Sequence, residues 1–332
     1  MSAARSAEDE VAISVIVPVR NRQYLLERLL QALDAQRRRD FEVIVVDDGS
    51  TDGADRIAEA ATVAGRPVRL LHSGGAGAVH ARRIGVQAAR GAILAFTDSD
   101  CAPRPDWLLA GAAAIEDGSD LVNGRTVPAR ALTPLERSLG SGEEGLYPTA
   151  NMFFRNEAFH AAGGFDIAAE DRLGFRHDNL TKGTGFGEDT LVAWRMIRMG
   201  YRPRYEPAAV VEHHVFSPNV KESLVRAWST AAFPALVAEV PELRGTIMRR
   251  KVLFGVRSRV PFYATAGALM LGRRRIGAVA AAWWMLVRVK DMRQMPAPWH
   301  RKLAYLPAEM FLDVVMGTAM IVGSVKSRRV VL

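Results

Sequence analysis

Three short apolar runs, residues 12–19 (AISVIVPV), 41–46 (FEVIVV) and 92–96 (AILAF), are each followed closely by charged residues, and helix-spaced apolar residues lie between them. Short runs of β-branched and apolar residues without a helical cap read as buried strands. Leu25, Leu26, Leu29, Leu30 and Leu33 after the first run, and Ile57, Ala60 and Ala61 after the second, mark two helices. A short strand at 68–71 and a third helix at 79–89 precede the last run. Strands alternating with helices build βαβ units, which dictate an α/β fold: a mostly parallel, Rossmann-like sheet with helices on both faces.

Ligands of such sheets bind beyond the carboxyl ends of the strands. Those ends carry Arg20, then Asp47 and Asp48 ahead of Gly49, then the loop Gly74-Gly75-Ala76-Gly77, then Asp98-Ser99-Asp100. If the chain stays extended, alternation directs Asp98 and Asp100 to one face, where two anions invite a bridging divalent cation. A plain acidic turn ahead of Pro103 and Pro105 is the alternative. A carboxylate can fix a nucleotide base, a metal its diphosphate, and Arg82 or Arg83 the remaining charge. No GxGxxG follows the first strand and no GxxxxGK[ST] occurs, which excludes a dinucleotide fingerprint and a P-loop.

These segments form an ordered set. SVIVPVRNR (14–22), VIVVDDGSTDG (43–53), HARRIGVQAARG (80–91) and FTDSD (96–100), with NMFFRNEAFHAAGGFD (151–166) and GEDTLVAWRMIRMGYR (187–202), resemble the family 2 glycosyltransferases of the glycosyltransferase-A fold. The resemblance implies a nucleotide-sugar donor, most often a UDP-sugar, with Mg²⁺ or Mn²⁺. It sets Pro18 and Arg20 beside the nucleotide, Asp48 on the base and Arg82 facing the diphosphate. Asp47 either shares the role of Asp48 or caps a turn. Asp98 and Asp100 match the DXD motif, with Asp100 the direct metal ligand, and His213 completes the metal site by spacing, its neighbour His214 being the alternative. The family often has Arg-Asn where this chain has Arg82-Arg83, so Arg83 is either an extra cation at the donor or a solvated helix residue.

An inverting transfer needs one carboxylate to take the acceptor's proton while its hydroxyl attacks the anomeric carbon. The resemblance gives that role to Asp189, with Glu188 shaping the acceptor side. The pair opens a helix, where acidic residues are also ordinary caps. Asp166, in the Gly163-Gly164-Phe165-Asp166 turn, either meets an acceptor hydroxyl or fixes the turn.

At 332 residues the chain exceeds one ordinary domain, and its net charge of +8 is unevenly spread. Residues 216–332 hold 19 Lys and Arg against 6 Asp and Glu, residues 1–215 hold 25 against 30. The expected division is a catalytic domain at 1–215 and a basic helical region at 216–332, whose partner is anionic. Apolar stretches at 260–272 and 276–289 are each too short to cross a bilayer and are separated by Arg273-Arg274-Arg275. They read as a hairpin in the membrane interface, with Trp283, Trp284 and Arg288 at headgroup level. Residues 303–325 are long enough to cross, but Pro307, Glu309 and Asp313 interrupt them, so an amphipathic helix followed by Lys326, Arg328 and Arg329 is expected. A soluble helical subdomain is the alternative.

Residues 1–10 are polar and acidic, with no apolar segment of a signal peptide, which places the expected enzyme on the cytoplasmic membrane face. The single Cys101 excludes an internal disulfide framework. The expected acceptor is polyprenyl-linked or a cell-envelope glycan. Nucleic acid is not an expected partner, because the tail's arginines are interleaved with apolar blocks rather than stacking platforms. The competing readings are a nucleotidyltransferase, which needs no carboxylate base, and a non-catalytic nucleotide-sugar-binding membrane subunit.

Overall fold

The computed structural model describes residues 11–173, 187–217, 219–254 and 257–332. Residues 1–10, on which the signal-peptide reading rests, lie outside them. The chain divides into two compact units: one takes in residues up to 129, 139–169 and 183–214, the other residues 130–138, 170–182 and 215–332.

The first unit begins β1 (Ile13–Val19), α1 (Gln23–Asp34), β2 (Phe41–Asp47) and α2 (Ala54–Ala60). A small hairpin follows, β3 (Thr62–Val63) and β4 (Arg66–Pro67), then β5 (Arg69–His72), α3 (Ala78–Ala88), β6 (Ile93–Phe96), β7 (Cys101–Pro103) and α4 (Trp107–Glu116). Next come β8 (Leu121–Pro128), β9 (Met152–Arg155), α5 (Asn156–Ala161), α6 (Ala169–Arg172), of which all but the first residue counts with the second unit, α7 (Glu188–Arg198) and β10 (Pro203–His213).

Eight strands form one sheet in the order β5-β2-β1-β6-β9-β8-β10-β7. The β5-β2-β1-β6 half is parallel throughout, and β8 and β10 are also parallel, while β9 runs antiparallel to both its neighbours and β7 to β10. Four of the seven strand pairings are parallel, so the mostly parallel expectation holds. All seven residues of β1 are buried, as a strand covered on both faces requires. Val15 and Val17 join Leu26, Leu29 and Leu33 of α1 in one core, and Ile16 joins Val79 and Val86 of α3 and Phe96 in the other. The strand order reverses between β1 and β6, since the chain first builds outward through β2 and β5 and then returns. That switch point is where an open α/β sheet leaves a crevice for ligands.

The extended path expected through Asp100 is corrected. β6 stops at Phe96, and the Cys101 amide donates to the Asp98 carbonyl (3.0 Å), so Asp98 to Cys101 form a turn. Strand alternation therefore does not set the directions of the two carboxylates. The neighbouring elements α4, β8 and β10 rest on a buried polar bolt. Asn151 is fully buried, accepts from Trp107 Nε1 (2.8 Å), and donates to the carbonyls of Ala209 (2.9 Å) and Arg125 (3.1 Å), tying α4, β8 and β10 together. Gly124 is required beside it, because a Cβ there would stand 2.3 Å from Asn151 Oδ1.

The second unit is helical: α8 (Val220–Ser229), α9 (Phe233–Glu239), α10 (Leu243–Thr246), a two-residue hairpin of β11 (Met248–Arg249) and β12 (Leu253–Phe254), then α11 (Arg259–Met270), α12 (Arg274–Met292) and α13 (Trp299–Ser327). α11 and α12 form the expected pair. The headgroup placement of Trp284 and Arg288 is overturned: Trp284 is buried and donates to Asp313 Oδ2 (2.9 Å), and Arg288 Nε donates to the same oxygen (2.7 Å). Glu309 and Asp313 do share a face of α13, and both meet Arg288. The helix runs through Pro307 for 29 residues and is long and apolar enough to cross a membrane, by length and composition.

Asn151→Ala would orphan a buried indole N–H and two carbonyls. Each such group costs about 1–3 kcal/mol, so the variant should lose roughly 3 kcal/mol or more, read as a lowered denaturant midpoint.

Candidate active site

The site grows from the strand ends at the β1/β6 switch point. Beyond β2, the two aspartates are used differently. Asp47 accepts from the amides of Gly49 and Ser50 (3.2 Å each) and so closes the turn. Asp48, buried next to it, accepts from Ser73 Oγ (2.6 Å) and from the Gly77 amide (3.0 Å), and faces Arg20 Nη1 at 3.4 Å. Asp48 thus anchors the glycine loop that leads into α3, while Pro18, buried in β1, pairs with Val46 and needs no amide donor there. Ser73 had no sequence signal of its own, since its role depends on where the glycine loop folds back.

Arg82, one turn into α3, is the central cation. It is buried and donates to Asp98 Oδ1 (2.8 Å) through Nη2 and to Glu188 Oε1 (2.8 Å) through Nη1. Burial opposes its charge, but Asp98 and Glu188 outweigh that and raise its pKa. Its Nε has no hydrogen-bond partner among the described residues. Arg83 is exposed on the other flank of the helix.

Glu188 and Asp189 open α7, whose N-cap Gly187 has φ +76°, a conformation that L side chains rarely adopt. Burial raises the Glu188 carboxyl against the pull of Arg82. Asp189 is pushed up to about 7, by burial first and by the Glu188 charge second. Its two oxygens accept from the Thr190 amide (2.7 Å) and the Thr149 amide (3.2 Å). Thr190 Oγ donates to the Leu146 carbonyl (2.5 Å) and Trp194 Nε1 to that of Gly145 (2.9 Å), so the 145–149 segment is strapped to the helix that presents Asp189. Asp166 accepts from the Ala168 amide (2.9 Å), fixing its turn.

On the remaining side, β10 delivers His213 to Asp100. His213 Nε2 lies 3.4 Å from Asp100 Oδ1, and the His214 amide donates to the Asp100 carbonyl (2.8 Å). Burial raises the Asp100 carboxyl, opposed by His213. Asp100, His213 and Cys101 bring ligand atoms within 4.8 Å of one another, a donor set of carboxylate, imidazole and thiol that fits a divalent cation. Asp98 is turned to Arg82 through Oδ1. The structure thus joins Asp98, Arg82 and Glu188 in one chain of ion pairs and Asp100 with His213 in another.

Among solved structures, the mannosyltransferase PcManGT from Pyrobaculum calidifontis, in complex with GDP-Man and Mn²⁺, superposes over 96% of this chain and 87% of its own, with a TM-score of 0.53 at 20% identity. TarS 1–349 of S. aureus in complex with UDP-GlcNAc covers 96% and 93%, with a TM-score of 0.51 at 17% identity. The fold is therefore that of the glycosyltransferase-A enzymes. Residues 14–167 match the model of glycosyl transferase family 2, somewhat under half of the chain. Glycosyltransferase AglE of Haloferax volcanii is 33% identical over 168 residues, which are 46% of this chain and 55% of that one. The pre-mycofactocin glycosyltransferase of Mycobacterium tuberculosis is 31% identical over 221 residues, 60% and 42%. The chain spans about half the length of these curated relatives.

If Asp189 acts as a base, its ionisation sets the pH dependence. A carboxyl raised to about 7 is protonated below that pH, so kcat should rise with pH through about 7 and level off above it. A rate independent of pH between 5 and 8.5 would remove Asp189 from that role.

Proposed function

We propose that the chain transfers a sugar, with inversion, from a nucleoside diphosphate sugar to a hydroxyl of a lipid-linked or envelope glycan acceptor. The observation that carries this reading is Asp189: a carboxylate held by the Thr149 and Thr190 amides at the start of α7, one residue from the Glu188–Arg82–Asp98 chain that leads to the donor side, with burial pushing its pKa up to about 7.

Asp48 reads the base, most often uracil in this family, with Arg20 at the rim. Asp100 and His213 would hold a divalent cation, Mn²⁺ suiting the imidazole better than Mg²⁺, while Asp98, whose Oδ1 accepts from Arg82, stands outside that group of ligand atoms. Bound there, the cation stabilises charge developing on the diphosphate leaving group. Arg82 places a second, fixed positive charge against the same group. Asp189 accepts the proton of the acceptor hydroxyl as its oxygen bonds to the anomeric carbon and the bond from that carbon to the diphosphate oxygen breaks. Each Asp189 oxygen keeps a lone pair beyond its amide bond.

The helical unit fits a membrane surface. Ile276, Val279, Trp283, Met285 and Leu286 stand exposed on α12 behind the exposed Arg273, Arg274 and Arg275. An apolar face with an arginine cluster at one end matches an anionic bilayer. Such docking would bring a lipid-linked acceptor to the enzyme.

Slow hydrolysis of one donor from a panel of nucleotide sugars, dependent on Mn²⁺, is expected of the purified protein. Asp100→Ala should abolish it, and Asp189→Asn should lower acceptor transfer by about 10²–10⁴-fold, the usual worth of a general base. Full transfer by Asp189→Asn would favour a nucleotidyltransferase, whose phosphate nucleophile needs no such group. In parallel, the tryptophan fluorescence should shift blue on anionic vesicles and lose that shift in Trp283→Phe, and replacing Arg273, Arg274 and Arg275 by Gln should weaken vesicle binding by about 3 kcal/mol, near 1 kcal/mol per cation.

A further inference from the structure

We infer that Cys101 is a third protein ligand at the Asp100/His213 position, which makes this cation site selective for thiophilic divalent ions such as Zn²⁺, Cd²⁺ and Co²⁺ over Mg²⁺. The inference rests on the reading above only in that Asp100 and His213 hold a cation.

Backbone register puts the three groups together. β7 and β10 are antiparallel, and Cys101 stands directly opposite His213. Directly opposed residues send their side chains to the same face of the sheet, with Cβ atoms about 4.5–5.5 Å apart. The bond from the His214 amide to the Asp100 carbonyl holds the turn residue against the end of β10. Cys101 Sγ is 3.9 Å from Asp100 Oδ1, His213 Nε2 is 3.4 Å from the same oxygen, and all three ligand atoms lie within 4.8 Å of one another. A tetrahedral ion with bonds of about 2.0 Å to oxygen and nitrogen and 2.3 Å to sulfur separates its ligand atoms by roughly 3.3–3.6 Å. The Asp100–His213 edge has that length, while the sulfur, 3.9 Å from Asp100 Oδ1 and within 4.8 Å of the imidazole nitrogen, has to move inward for an ion to seat.

The imidazole is prepared for the role. His213 Nδ1 lies 2.8 Å from the His214 carbonyl and 3.3 Å from the Leu139 amide. A proton on Nδ1 serves the shorter contact, to the His214 carbonyl, and leaves the Nε2 lone pair toward Asp100; the Leu139 amide, which donates to Nδ1, is served by the other tautomer. Mg²⁺ takes oxygen ligands and gains nothing from sulfur, whereas Zn²⁺ and Cd²⁺ gain most from it. On coordination the S–H bond breaks, its proton passes to solvent, and the sulfur lone pair forms the metal bond, with no change of oxidation state. Cys101 otherwise behaves as a small buried apolar residue in the core beneath β7, and a thiol packed there for volume alone would ignore the metal.

The chain has one cysteine, so any sulfur-to-metal signal reports this residue. The full-length protein is titrated with Co²⁺ and with Cd²⁺ and its near-ultraviolet absorption recorded, with Mn²⁺ binding followed separately by electron paramagnetic resonance. One equivalent should raise a thiolate charge-transfer band. In Cys101→Ser the band should vanish, and the affinity for Zn²⁺ relative to Mn²⁺ should fall by at least the roughly 10–100-fold that loss of an outer-shell partner costs. Mn²⁺ binding without any charge-transfer band from Co²⁺ or Cd²⁺ would overturn the thiolate ligand and leave the Asp100/His213 cation site standing. Absence of binding by every ion would overturn both. The spectrum of the unaltered protein decides the matter even if Cys101→Ser folds poorly.

Discussion

The architecture of the site depends on one buried guanidinium. Arg82 stands between Asp98, at the end of β6, and Glu188, at the start of α7, and holds both at 2.8 Å. Without it, two carboxylates far apart in the sequence would face a partly dehydrated crevice uncompensated, at several kcal/mol for each buried charge. With it, the donor half of the sheet and the helix that presents Asp189 are joined through charge. On the proposed reading the same cation faces the donor's diphosphate, and donor binding and the position of Asp189 are then linked through one side chain.

Local patterns carried much of this in the sequence. The β1, β2 and β6 runs, the leucine spacing of α1 and the acids at the strand ends are short-range signals, and they were enough for the α/β fold and for the motif residues. What they did not carry is register and return. Asp98 and Asp100 looked like a pair on one face, but a turn at Asp98–Cys101 sends one to Arg82 and the other to His213. Cys101 gained a possible role only once β7 paired with β10, more than a hundred residues later. The antiparallel β9, inserted between β6 and β8, likewise has no local mark, because MFFR reads as a strand in either direction.

The helical unit illustrates the same limit. Apolar stretches and arginine breaks located α11, α12 and α13, and the four-residue spacing put Glu309 and Asp313 on one face. Composition could not say that Trp284 and Arg288 spend their polar groups on Asp313 instead of a headgroup. Trp283, one residue away, keeps the outward direction, since neighbours on a helix point about 100° apart.

The most direct test of the account is the crystal structure of the full chain with UDP and Mn²⁺. The account predicts uracil against Asp48, the diphosphate within reach of Arg82 and the ion on Asp100 and His213, with Asp189 facing open space beside the β-phosphate. A nucleotide bound away from the β1/β6 switch point, or an ion held without Asp100, would contradict it.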